Sequence, residues 1–112
     1  MATILAMSRR PALEVIFDAL ALDHMDGIGR KYDSLIRRTV EEQLIHEPDT
    51  LTRNRKPLLR ETAIGATWEV RCGPGNRFRI FYDIHRDQRL VVVAIARKVR
   101  NQLFVGKEKF EP

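Results

Sequence analysis

Between Trp68 and Ile84 apolar and polar residues alternate on either side of one turn, and this run constrains the fold more than any other part of the 112-residue chain. Trp68, Val70 and Cys72 alternate with Glu69 and Arg71, and Phe78, Ile80, Tyr82 and Ile84 alternate with Arg79, Phe81 and Asp83. Gly73-Pro74-Gly75-Asn76 supplies turn chemistry between them. A hairpin must place both apolar sets on one side, because a one-residue slip sends one set into water. Cys72 therefore faces Phe78, Val70 faces Ile80, Trp68 faces Tyr82, and Arg71 falls opposite Arg79 across the connection Gly73 to Arg77.

The same rule, applied to the apolar run Leu90 to Lys98, sets Val91 against Tyr82, Val93 against Ile80 and Ile95 against Phe78. Ala94 then stands beside Arg79, with Ala96 and Lys98 following on that face. Two arginines directly across a hairpin repel each other, so something must compensate. Glu69 is one candidate, as a diagonal neighbour; a bound phosphate is the other, lying on the shallow surface that Ala94 and Ala96 leave.

Upstream, Leu13 to Phe17 is a short β-branched run that reads as a strand, and Ala19 to Met25 as a helical turn or two before Gly27 and Gly29 break the chain. From Arg30, the residues Tyr32, Ile36, Val40 and Leu44 recur every four positions, with Leu35 beside them, which is one helix face. Arg37 with Glu41 and Arg38 with Glu42 form ion pairs on the solvated side, and Pro48 ends the helix. Asp49 to Thr67 has no period and reads as a loop holding Arg53, Arg55, Lys56 and Arg60, four cations in eight residues beside the stiffening Pro57. Such a loop suits a clamp on an anion.

The charges divide unevenly. Residues 1–52 hold six Lys/Arg against nine Asp/Glu, a balance of −3, and residues 53–112 hold fourteen against six, a balance of +8. Fifteen of the twenty basic residues are arginine, whose planar fork matches phosphate oxygens. A polyanionic partner is the natural inference. The single cysteine, Cys72, excludes a disulfide framework, and His24, His46 and His85 have no second ligand at metal spacing. No Gly-rich phosphate loop precedes a helix, so nucleotide hydrolysis is not expected. The apolar run Ala2 to Met7 is too short for a signal peptide or a membrane span, which makes the cytoplasm the expected location. What remains is metal-free chemistry on a phosphodiester, where RNA brings its own 2′-OH nucleophile and the protein need only align it and stabilise the developing charge.

Five segments in order then carry a resemblance. Thr52-Arg53-Asn54-Arg55-Lys56-Pro57-Leu58, Trp68-Glu69-Val70-Arg71, Asn76 to Asp83, and Lys98 with Leu103-Phe104-Val105-Gly106, after a helix ending Glu42 to Pro48, resemble the RelE/ParE superfamily of bacterial type II toxins. The resemblance runs from about Leu13 to the C-terminus. It implies one α+β domain over residues 1–112: an N-terminal strand and two helices packed on one face of a mainly antiparallel, four-stranded twisted sheet.

It also implies an endoribonuclease that needs no metal or cofactor and cuts mRNA on the ribosome by 2′-OH attack, with a cognate antitoxin as partner and operator DNA bound only by the toxin–antitoxin complex. By position, Arg79 matches the recurrent catalytic arginine of the family, Arg71 a basic residue of the neighbouring strand, and Lys98 the cation just after the last strand. Glu69 stands where RelE has a lysine and Phe104 where it has a tyrosine. Glu69 then serves either as general base or as a structural partner of Arg71, and Phe104 can stack on a base but cannot exchange a proton. Arg53, Arg55, Lys56, Arg77 and Phe104 make up the expected RNA-binding set. The alternatives are the ParE branch, which inhibits DNA gyrase by a protein contact, and an inactive co-repressor.

Overall fold

In the computed structural model, residues 12–59, 64–85, 87, 89–105 and 108–110 are described; the Ala2–Met7 run, Arg60 and Gly106 lie outside them. The chain opens with strand β1 (Glu14–Phe17), followed by helices α1 (Ala19–Ile28) and α2 (Arg30–Thr39). Asp18 caps α1 by accepting a hydrogen bond from the Ala19 N–H at 2.9 Å, while its own N–H donates to the Val92 carbonyl and fixes the crossing from strand to helix. Gly27 stays inside α1 rather than breaking it, and the break falls at Gly29, whose φ of 104° favours glycine.

Residues recurring every four positions advance about 40° per step around an α-helix, so the stripe from Tyr32 would drift off the core before Leu44. A π-helical turn at Val40–Leu44 absorbs the drift, and Ile36, Val40 and Leu44 are all buried. The same change of pitch displaces the expected ion pairs. Arg37 instead pairs backward with Asp33 at 2.6 Å.

The described strands form one seven-stranded mixed sheet rather than a four-stranded one. Its order is β2 (Arg55–Pro57), β3 (Trp68–Cys72), β4 (Phe78–His85), β5 (Arg89–Val99), β6 (Gln102–Val105) and β7 (Glu108–Phe110). Neighbours along this path are antiparallel, and β1 pairs parallel with the first part of β5, over Arg89 to Val92. The extra strands come from the segment read as a loop, which adds β2 to the edge, and from the C-terminal hairpin.

The hairpin register is the expected one: Trp68–Tyr82, Val70–Ile80, Cys72–Phe78 and Arg71–Arg79 are directly paired. The third strand is not in the expected register. Ala94 pairs with Phe81, Ile95 with Ile80 and Ala96 with Arg79, while Val92 pairs with Tyr82, so that Val93 is an inserted residue between two ladders. The insertion switches the phase of β5, putting Leu90, Val92 and Ile95 on the helix side and Val93, Ala94 and Ala96 on the other.

The helices cover one face of the sheet. Ala21, Met25, Ile36, Val40 and Leu44 pack there against Val70, Cys72, Phe78, Ile80, Tyr82, Leu90, Val92 and Ile95. Two polar groups complete this side. The buried Tyr82 hydroxyl donates to the Pro48 carbonyl at 2.5 Å, and the Ile95 N–H donates to His24 Nδ1 at 3.2 Å. On the opposite face a smaller cluster of Ala66, Phe81, Val93, Ala94, Ala96 and Leu103 floors an open surface.

Candidate functional site

Strand alternation sorts the polar residues of the central sheet by face. Glu69 and Arg71 on β3, Arg79 on β4, and Ala94, Ala96 and Lys98 on β5 belong to the helix-free face, as does Lys56, which pairs with Glu69. Arg71 and Arg79 are direct cross-strand partners, Arg79 is paired in turn with Ala96, and Lys98 lies one step further along as its diagonal neighbour. Directly opposed side chains start about 5 Å apart and diagonal ones about 7–8 Å, within the reach of long cationic chains to a common anion.

Glu69 organises this group. Its side chain is only 2% exposed, with Lys56 Nζ 3.4 Å from one carboxylate oxygen and Arg79 Nη1 3.5 Å from the other. Lys56 remains 53% exposed and Arg79 20%, so the carboxylate is covered by the cations it holds while they still face solvent. Arg71 has no ion-pair partner among the described residues, although it is the residue that Glu69 was expected to balance. One carboxylate thus stands against four cations.

The expected RNA-binding set does not stay together. Arg55 is buried and points to the helix side, where its guanidinium donates to the carbonyls of Glu47 at 2.6 Å, Gln43 at 2.9 Å and Thr50 at 3.2 Å. It thereby satisfies carbonyls of the π-helical turn and the loop that follows it, and its guanidinium lies away from the helix-free face. Arg77 also turns to the helix side and donates to the Tyr32 hydroxyl at 3.3 Å. Phe104 pairs with Arg97 and shares its face with Phe78, away from Arg79, because the neighbouring Leu103 takes the helix-free side. Arg53 and Lys56 are exposed; Arg53 sits in the tight turn between Thr52 and Arg55, beside Asn54, whose carbonyl accepts the Arg71 N–H at 2.7 Å.

Two further polar groups escaped the sequence reading. His24 on α1 is buried, and that burial holds its imidazole below the ordinary histidine range despite the opposing charge of Asp23. On the helix-free face, His85 Nε2 lies 3.3 Å from Asp83, which accepts a 2.6 Å hydrogen bond from the Thr67 hydroxyl. Cys72 is buried, which raises its thiol pKa and leaves it a packing residue. No described group of His, Cys, Asp and Glu has the makings of a metal site, and no described helix is long and apolar enough to cross a membrane.

No protein-family model matches the chain, and no curated protein matches it. Among solved structures, it is similar to a chain of the toxin–antitoxin complex RelBE2 from Mycobacterium tuberculosis, at 20% identity and a TM-score of 0.62, over 79% of this chain and 100% of that one. That likeness is one of fold. It agrees with the α+β RelE-like architecture that the sequence motifs implied.

Proposed function

We propose that this chain is the toxin of a type II toxin–antitoxin pair and that it cleaves mRNA through the cations of the helix-free face. The observation that carries this reading is the Arg71–Arg79 pair: two directly opposed guanidinium groups, one steadied by a buried carboxylate and the other with no described counter-ion. A like-charge pair of this kind is relieved by an anion bridging both forks, and a phosphodiester is such an anion.

In this reading the 2′-OH attacks the adjacent phosphorus, the bond from phosphorus to the 5′ oxygen breaks, and a cyclic phosphate forms. Arg79 and Arg71 take up the charge that builds on the non-bridging oxygens. Lys98, diagonal to Arg79, neutralises the leaving 5′ oxygen. Glu69 is a positioning residue: covered by Lys56 and Arg79, it aims Arg79 and is not placed to take a proton from substrate. The 2′-OH proton then passes to solvent.

The fold shared with a chain of a toxin–antitoxin complex supports an antitoxin as the partner; the reading adds that operator DNA is bound only by the pair. The reading also takes the ribosome as the place of cleavage and the cytoplasm as the location.

Primer extension on mRNA after induction, run beside a gyrase supercoiling assay, tests the proposal. Discrete new 5′ ends with normal supercoiling support a nuclease; intact mRNA with inhibited supercoiling would assign the chain to gyrase inhibition instead. Intact mRNA and normal supercoiling would leave a binding module.

A further inference from the structure

Alternation sends cations to both faces at one end of the sheet. Lys98 and Arg79 emerge on the helix-free side, while Arg97 emerges on the helix side opposite Phe78 and Arg77 folds back against α2. Tyr32 is the centre of this second group. Its ring lies 4.9 Å from that of Phe78, Lys31 Nζ is 5.6 Å and the Arg77 guanidinium 6.0 Å from its centroid, and Arg77 also donates to its hydroxyl. Arg100 stands in the turn joining β5 to β6, two residues beyond Lys98, with a φ of 59°. Lys31, Arg77, Arg97 and Arg100 are exposed, and none pairs with a carboxylate among the described residues.

Aromatic contacts hold Lys31 and Arg77 in place without neutralising them. Cations without counter-ions are what a polyanion backbone requires, and Arg97 and Lys98, adjacent in β5 but on opposite faces, give it a path around the sheet end, with Arg100 in the turn just beyond. From these observations, and resting on the nuclease reading above, we infer that Lys31, Arg77, Arg97 and Arg100 form a second phosphate-binding subsite. It takes the RNA strand as it leaves the Arg71–Arg79 face, so that substrate length beyond the cleaved linkage contributes to affinity.

The test uses the full chain and 2′-O-methyl RNA, which cannot undergo 2′-OH attack, in strands of about six and about twenty nucleotides. For the double variant Arg77→Gln/Arg97→Gln, affinity for the longer strand at 0.1 M salt falls about twentyfold, and the logarithmic salt slope becomes shallower by about 1.4, at about 0.7 per phosphate. Affinity for the short strand is unchanged. A second double variant, Arg97→Gln/Arg100→Gln, touches no described hydrogen bond and gives the same result. Unchanged long-strand binding in both variants would overturn the inference, while short-strand binding that still depends on Arg79 would leave the nuclease reading standing. Loss of long-strand binding in the double variants with no effect of Arg79→Ala on either strand would support this subsite and sink the cleavage face.

Discussion

Arg71 and Arg79 face each other directly across the β3–β4 hairpin, yet Glu69 binds only Arg79, at 3.5 Å, and spends its other oxygen on Lys56. The asymmetry gives the two arginines different duties. Arg79 is held in place, while Arg71 has no ion pair among the described residues and, in the proposed reading, closes on the anion.

Replacing Glu69 by Gln keeps the shape and removes the charge, leaving Lys56, Arg71 and Arg79 on one surface with no counter-ion. Stability should fall by about 1–3 kcal/mol, recovered in part by adding phosphate or sulfate. Urea unfolding with and without the anion checks this. An equally stable variant that gains nothing from phosphate would mean that Glu69 does not balance the cluster.

Arg55→Met should destabilise by about 2–4 kcal/mol, because it strands three carbonyls that a charged donor now satisfies. Thermal unfolding measures the loss. A stable variant with weakened RNA binding would return Arg55 to the contact surface.

Tyr82→Phe leaves the Pro48 carbonyl without its buried donor and should cost about 1–2 kcal/mol with no change in fold. Equilibrium unfolding beside an unchanged circular dichroism spectrum is the measurement. A cost near zero would show that water replaces the hydroxyl.

His24 makes stability depend on pH. Its folded pKa is depressed, mainly by burial, and its Nδ1 must stay unprotonated to accept the Ile95 N–H. Below about 6.5 the unfolded chain takes up a proton that the native state resists. The His24 contribution is therefore complete above that pH and is lost as pH falls toward the folded pKa. Unfolding midpoints measured from pH 7.5 down to 5 should decline for the parent and decline less for His24→Gln; parallel curves would remove His24 as the cause.

The β3–β4 hairpin was legible because apolar side chains occupy only one parity in β3 and nearly so in β4, so burial admits one register. In β5, Val91, Val92 and Val93 are interchangeable in polarity, so alternation carries no phase information. The inserted Val93 is visible only through its effect on the partner strands. Arg55 misled for another reason: a cation that satisfies buried carbonyls looks in sequence like any surface arginine, and its partners at Gln43, Glu47 and Thr50 depend on where the π-helical turn stops the helix. The gathering of Arg71, Arg79, Lys98 and Glu69 on one face survived the error in β5. The inserted residue restores for Ala94 and Ala96 the face that the wrong register had assigned them, and Lys98 follows by alternation.

Cleavage of ribosome-bound mRNA by the purified chain, compared with that by Arg79→Ala of equal thermal stability, tests the central claim most directly. The account predicts cleavage by the parent and a rate at least about a hundredfold lower in the variant, the usual cost of one preorganised donor. Equal rates in the two proteins would contradict it.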